Sequence, residues 1–558
     1  MEALDWLVIG VFFLALIGII VWVVRQKQND SADYFLGGRD ATWLAIGASI
    51  FASNIGSEHL IGLAGAGASS GMAMAHWEIQ GWMILILGWV FVPFYTRSMV
   101  YTMPEFLERR YNPQSRTILS VISLVSYVLT KVAVTVYAGG LVFQQVFGIK
   151  ELWGIDFFWI AAIGLVVLTA LYTIFGGMKS VLYTSVLQTP ILLLGSLIIL
   201  VLGFKELGGW DEMMRVCGAV TVNDYGDTMT NLIRSNDDAN FPWLGALIGS
   251  AIIGFWYWCT DQFIVQRVLS GKNEMEARRG TIFGAYLKLL PVFLFLIPGM
   301  IAFALHQKYI GAGGEGFLPM LANGTANADA AFPTLVAKLL PAGVKGLVVC
   351  GILAALMSSL ASLFNSSAML FTIDFYKRFK PETPEKKLVG IGQIATIVIV
   401  VLGILWIPIM RSVGDVLYTY LQDVQSVLAP GIAAAFLLGI CWKRTSAQGG
   451  MWGLISGMVI GLTRLGAKVY YSNAGEVADS TFKYLFYDMN WLFFCGWMFL
   501  FCIIVVIVVS LATEAPTAEK IQGLVFGTAT KEQKAATRAS WNHWDIIHTV
   551  IILAITAA

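Results

Sequence analysis

The sequence predicts an all-α polytopic membrane protein with about fourteen transmembrane helices. Three observations lead there. Only 13% of the 558 residues are charged, where an ordinary soluble chain carries about 25%. Hydrophobic residues reach 57% and gather in repeated runs of about 20 residues, each long enough to cross a bilayer. Two of those runs are interrupted by polar residues at membrane depth, which a simple lipid-facing helix does not tolerate.

Taken in order, spans are expected near 5–24, 42–67, 74–96, 116–146, 156–174, 181–203, 244–269, 277–306, 343–378, 387–410, 416–440, 447–470, 490–512 and 545–558. The lengths of 116–146 and 343–378 imply tilt or extension beyond the hydrocarbon. The run 6–24 has no basic leader and no small-residue cleavage site, so an uncleaved first helix is expected. Lys and Arg gather in alternate loops, among them Arg97, Arg109, Arg110 and Arg116, then Lys272, Arg278 and Arg279, then Lys377 to Lys387, and Lys443 with Arg444. The opposite short loops hold little beyond Lys150 and Arg411. The basic side is predicted to be cytoplasmic, which puts both termini outside the cell. The longer connections 204–241 and 309–342 then lie outside, and 513–544 is a cytoplasmic linker.

A net charge of +1 with no extended basic patch excludes nucleic acid as a partner. The six cysteines show no close-spaced metal pattern; all are expected to be buried thiols without a disulfide framework. No segment remains for a soluble catalytic domain, and no nucleophile–base or metal constellation suggests an enzyme. Gly449, Gly453, Gly457 and Gly461 recur every four residues and predict one face for close helix contact.

The first interruption reads Ala52-Ser53-Asn54-Ile55-Gly56-Ser57-Glu58-His59, and the second Gly254-Phe255-Trp256-Tyr257-Trp258-Cys259-Thr260-Asp261-Gln262. The second comes five helices after the first. Broken helices at corresponding positions of two five-helix halves point to inverted repeats with a site at their interface. That organisation divides the chain into an extra helix and linker (1–40), a first repeat (41–203), an outer loop (204–241), a second repeat (242–441) and added C-terminal helices (442–558).

Other polar groups at depth are Glu78, Lys131, Lys288, the pair Ser358-Ser359, and Gln422-Asp423. A charge at the bilayer centre costs about 2.5–3.5 kcal/mol on insertion scales, so this set requires pairing or a wet cavity. Asp261 is the candidate partner of Lys131, and a structural pair is the only role foreseen for Glu58. Asn54, His59, Glu78, Lys288 and Gln422 supply mixed donors and acceptors, while Trp77, Tyr257, Trp258 and Tyr418 supply flat apolar faces. A sugar wants both, hydroxyls to be hydrogen-bonded and a C–H face to lie on a ring; core packing is the alternative for each aromatic. Ser358 and Ser359 flank a stripe with Ala355 one turn earlier. Their hydroxyls either bond back to helix carbonyls or join unwound carbonyls at Ala52 and Ile55 in an oxygen cage suited to Na⁺.

At these residues the sequence resembles the sodium/glucose cotransporter family of sodium:solute symporters, which have the LeuT-type inverted-repeat fold. The similarity runs from Asp33-Tyr34-Phe35-Leu36-Gly37-Gly38 to Trp442-Lys443-Arg444, with Ser358-Ser359-Leu360-Ala361-Ser362 and both interrupted stretches as its most specific parts. The resemblance implies a sodium site on Ala52, Ile55, Ala355, Ser358 and Ser359, and sugar contacts from Asn54, His59, Glu78, Lys288 and Gln422. It implies that Tyr257 closes the site toward the cytoplasm beside Trp258, and that Leu63, Trp77 and Tyr418 form the outer gate. Two departures matter. Ser185 stands where relatives have an Asp linked to a second cation site, and Ala361 offers no hydroxyl nearby, so one Na⁺ per sugar is expected. Gly254 stands where relatives place an Asn or Thr near the sugar.

The expected activity is Na⁺-coupled import of a hexose, glucose or galactose, by alternating access across the plasma membrane. The implied partners are sodium, a hexose and the bilayer, with no obligatory protein partner. Symport of myo-inositol, a sialic acid or an amino acid is the alternative within transport, and a sugar-gated sensor or channel the alternative outside it.

Overall fold

Runs of Leu, Ile, Val and Ala carry no side-chain group that competes for backbone hydrogen bonds, and hydrocarbon offers none, so such runs close their own helical ladders. The computed structural model accordingly consists almost entirely of helices. It describes residues 1–558 apart from 27–29, 57, 322–323, 414–416, 474–477 and 558, and apart from the side chains of 129–130, 409–413, 417–421, 423 and 473. Among the described residues nine helices are long and apolar enough to cross a membrane, with shorter apolar helices at Trp43–Asn54, Ala133–Phe147 and His543–Ala557.

Burial sorts these helices into an inner and an outer set. In an apolar 18-residue stretch of each, 89% and 83% of the residues are buried in Val344–Phe379 and Glu274–Gly311, against 22% and 33% in Ala3–Val24 and Trp491–Ala512. The inner helices therefore carry the polar residues, and the outer ones present Leu, Val and Ile to lipid. Val344–Met369 packs along Phe157–Leu207, and Trp43–Asn54 lies against Glu274–Lys288 and Phe157–Leu207.

Both interruptions are real breaks. The first helix runs Trp43–Asn54 and stops where Ile55 turns to an extended ψ of 100°. The chain resumes as a wide-turned segment, Glu58–Leu63, and then Ala64–Ser70. The second runs Trp243–Gly254, widens over Phe255–Thr260, breaks at Asp261 (ψ 127°) and restarts as Gln262–Leu269. Asp261 caps the restart by accepting from the Phe263 amide at 3.2 Å, so the residue that ends one half begins the other.

Three expectations change. The spans predicted at 156–174 and 181–203 are both present, but no loop separates them: within Phe157–Leu207 two helices meet at a sharp kink at Gly177 (φ 52°, ψ −147°). A side chain there would meet both the left-handed backbone penalty and the Tyr34 carbonyl, 2.4 Å from an added Cβ. A small antiparallel hairpin, Glu151–Leu152 with Ile155–Asp156, joins two helices in a chain expected to be all-α. Cys441 is exposed at the end of its helix, while the other five cysteines are buried; all six are free. The glycine stripe behaves as expected: an added Cβ on Gly457 would lie 2.6 Å from the Gly431 Cα, so the helices Ala447–Asn473 and Leu417–Cys441 touch backbone to backbone.

Candidate solute and ion site

The break in the first helix brings its polar residues against the turn after Ala75–Glu78, the second broken helix and Lys288. Asn54, His59, Trp77, Glu78, Tyr257, Trp258 and Lys288, all foreseen from the sequence, line one cavity with Glu58, Gln80, Ile253, Gly254 and Gln425. Its volume is about 20 Å³, room for one water, so a hexose-sized solute requires the walls to part.

The polar side chains form one connected chain. Lys288 Nζ donates to Glu78 Oε2 at 2.5 Å and to Asn54 Oδ1 at 3.1 Å. Asn54 Nδ2 donates to the Tyr257 hydroxyl at 3.1 Å, and His59 Nε2 lies 3.2 Å from Glu78 Oε2. Lys288 also sits over the Trp258 ring at 5.4 Å, and Tyr257 meets Trp258 edge-on at 4.9 Å. His59 Nδ1 is buried without a partner among the described residues. A neutral, hydroxyl-rich ring could exchange with these internal hydrogen bonds one for one and lay a C–H face on an indole.

Beneath this layer Lys131 pairs with Asp261 at 2.7 Å, as the sequence suggested. Its ammonium lies 4.8 Å from the centres of both the Tyr257 and Phe263 rings. Tyr127 donates to the other Asp261 oxygen. Glu58 differs from expectation: among the described residues no ion-pair partner lies within 4.0 Å of it, and it lines the cavity instead.

Of the residues expected to hold Na⁺, the structure brings Ser359 and Ile55 together. Ser359 Oγ donates to the carbonyl of Ser53 at 2.9 Å and reaches that of Ile55 at 3.4 Å. Those carbonyls belong to a helix end with no following turn to use them. An added Cβ on Gly56 would sit 2.7 Å from Ser359 Oγ, so only glycine admits the hydroxyl. Ser358 Oγ lies 3.3 Å from Ser185 Oγ, which donates to the Val181 carbonyl at 2.6 Å. Ala52, Ile55 and Ala355 are 1%, 0% and 1% exposed. This arrangement is all oxygen, fit for a hard monovalent cation, and among the described residues no His, Cys, Asp or Glu cluster could hold a transition metal.

Other expectations fall elsewhere. Gln422 is buried, with Oε1 unpartnered among the described residues, but does not line the cavity; Gln425, three residues on, does. Leu63 is fully buried in the resumed half of the first helix, away from the cavity wall. Trp77 lines the cavity and lies against Trp491 at 5.7 Å. The Tyr418 side chain lies outside the described residues. Gln80 and Gln425 were not singled out; Gln80's only signal was a buried-type position two residues after Glu78.

Fold and site together define a multi-pass helical transporter with the LeuT-type architecture. The structure matches a Na⁺-coupled sialic acid symporter in its substrate-bound outward-open state with a TM-score of 0.73, at 20% identity over 92% of this chain and 99% of the other. Residues 34–457 match the sodium:solute symporter family, and the chain belongs to that family. It is 37% identical to the mouse sodium/myo-inositol cotransporter 2, over 95% of this chain and 80% of the relative. It is 35% identical to the zebrafish sodium/glucose cotransporter 4, over 97% and 84%. Sodium is thus the coupling ion of a solute symporter, and its relatives are transporters, not enzymes.

Proposed function

We propose that this protein concentrates a neutral polyhydroxylated ring, a hexose such as glucose or galactose, by symport with one Na⁺ per sugar. The observation that carries the reading is the connected chain His59–Glu78–Lys288–Asn54–Tyr257 beside the Trp258 face. An amino-acid zwitterion would instead favour helix ends and a free charge pair, whereas Lys288 and Glu78 neutralise each other. The mouse relative's name, a myo-inositol cotransporter, supports a second reading, in which the ring is a cyclitol. The site chemistry serves both.

In this reading Ala52, Ile55, Ala355, Ser358 and Ser359 hold Na⁺, and Asn54, His59, Glu78, Lys288 and Gln422 hold the sugar. Trp77, Leu63 and Tyr418 gate the outside, and Tyr257 the inside. Ten of the fourteen spans, five in each inverted repeat (41–203 and 242–441), carry the alternation, with both termini outside. Sodium binding at the break orders Asn54 through the shared half-helix, so the ion and sugar affinities are coupled only through their different values in the outward and inward states. One Na⁺ crossing about 100 mV contributes about 2.3 kcal/mol, and a tenfold gradient about 1.4 kcal/mol more. Together they support a sugar gradient of several hundredfold.

The test is Na⁺-gradient-driven uptake in proteoliposomes, competed with glucose, galactose, myo-inositol, sialic acid and amino acids. Accumulation blocked by hexoses or inositol is expected. Binding without accumulation would make the protein a sensor, and block by amino acids alone would overturn the sugar reading.

A further inference from the structure

Gln80 lies at the junction between the short helix Ala75–Glu78 and the helix Gly81–Ile86, two residues after Glu78. It is 4% exposed, and its side chain reaches across to the second broken helix. Nε2 donates to the carbonyl of Ser250 at 3.0 Å. A carbonyl only accepts, so this bond fixes which end of the amide is which. The other end, Oε1, makes no hydrogen bond among the described residues.

The place that Oε1 occupies belongs, by position, to another residue. A Cβ built on Gly254 would stand 2.7 Å from Gln80 Oε1, 3.0 Å from its Cδ and 3.3 Å from its Nε2. Gly254 ends the first half of the broken helix and, like Gln80, lines the central cavity. The missing side chain at 254 and the intruding amide at 80 are therefore one feature. The glycine opens a slot in the wall, and the glutamine fills it from the neighbouring helix with an unpartnered acceptor facing the cavity.

We infer that Gln80 is a further solute-binding, specificity-determining residue, whose Oε1 accepts a hydrogen bond from a solute hydroxyl at the wall position Gly254 leaves vacant. The inference rests on the proposed polyol reading of the same cavity and extends it to a residue that reading did not include. An acceptor that faces the cavity without a protein donor is available to a ring hydroxyl, and closing the site over it unpaired would cost free energy. Because the amide is anchored at Ser250, the acceptor is held in place before the solute arrives, which favours rings with a hydroxyl at that one point over epimers without it.

The test is a double-mutant cycle on the full-length protein in proteoliposomes, with D-glucose and myo-inositol as probes. Q80A is expected to raise KM about five- to tenfold for the accumulated solute, the range of one lost hydrogen bond, and to change the ranking of competing epimers. Its half-saturation for Na⁺ should stay within about twofold of wild type, since Gln80 makes no contact with the oxygen cage; a merely structural loss would move both. G254S alone forces the amide away and should lower both affinity and Tm, while Q80A/G254S should recover most of each. An unchanged KM and epimer ranking in Q80A would overturn the inference, as would equal damage from G254S in both backgrounds. The Tm comparison reads the Gln80–Gly254 contact even if G254S is too poorly coupled for uptake. If the wild type concentrates a solute other than a hexose or inositol, the polyol reading fails, and the same Q80A comparison on that solute decides the role of Gln80 separately.

Discussion

Removing the charge of Glu78 separates binding from folding in a way that can be measured. Glu78 is 1% exposed and accepts from Lys288 at 2.5 Å and from His59 at 3.2 Å. Glu78→Gln keeps the shape and an acceptor oxygen but leaves the buried Lys288 ammonium without its paired carboxylate. Breaking one side of a buried pair costs about 3–5 kcal/mol, so low expression or a much reduced Tm is expected. The informative variant is therefore Glu78→Gln with Lys288→Met, which removes both charges and should restore folding, because a packed apolar replacement of a buried pair is near neutral. If the two groups also bind solute hydroxyls, the double variant still lacks the charge-assisted hydrogen bonds. Each is worth about 1.5–3 kcal/mol, or about 10- to 150-fold in affinity. Na⁺-driven uptake and equilibrium solute binding, measured beside Tm, check this. A double variant with wild-type Tm and wild-type affinity would refute the binding role and leave Glu78–Lys288 a structural pair.

Ser359→Ala removes the hydroxyl that reaches the Ser53 and Ile55 carbonyls; it should raise the half-saturating Na⁺ about tenfold, in the range of one hydrogen bond, with a smaller change in KM for solute at saturating Na⁺. Unchanged Na⁺-driven uptake would contradict the ion-site assignment. Parallel ²²Na⁺ and solute fluxes should give a ratio of one, since Ser185 offers only a hydroxyl already donated to Val181; a ratio of two would sink the one-ion reading. In the one-turn helix Ala328–Ala330 of the 309–342 connection, burial raises the Asp329 carboxyl to about 6 from its ordinary 3.8. A raised carboxylate favours the protonated folded form, so stability is full below pH about 4 and falls as pH rises through about 6, by about 3 kcal/mol. Asp329→Asn should then raise Tm at pH 7 and flatten its dependence between pH 4 and 6; an unaltered pH profile would count against the buried carboxyl.

Both broken helices were legible because hydrocarbon leaves polar residues so few places to go. Asn54 and Asp261 inside apolar runs announced interruptions, and the structure breaks the backbone at Ile55 and Asp261. The Lys131–Asp261 pair was readable for the same reason: two opposite charges at depth must find each other or a cavity. The kink at Gly177 was not, because whether a loop or a bend joins two apolar runs depends on what they pack against, here the Tyr34 backbone.

The division between Gln422 and Gln425, and the entry of Gln80, show what chain order alone leaves open. Residues three apart on one helix turn nearly the same face, so composition marks both glutamines as polar groups at depth without choosing between them. Gln80 faces inward only because Ser250 offers a carbonyl and Gly254 offers space, and both lie some 170 residues away in the chain. Hydrophobic length, polar interruptions and charge at depth are local properties, and they sufficed for a membrane protein with two broken helices and a polar interior; the carrier and sodium roles came with the family resemblance. Which polar atoms share the cavity, and which only pack beside it, was decided by long-range helix contacts, because angular position on a helix acquires a direction only when its neighbours are in place.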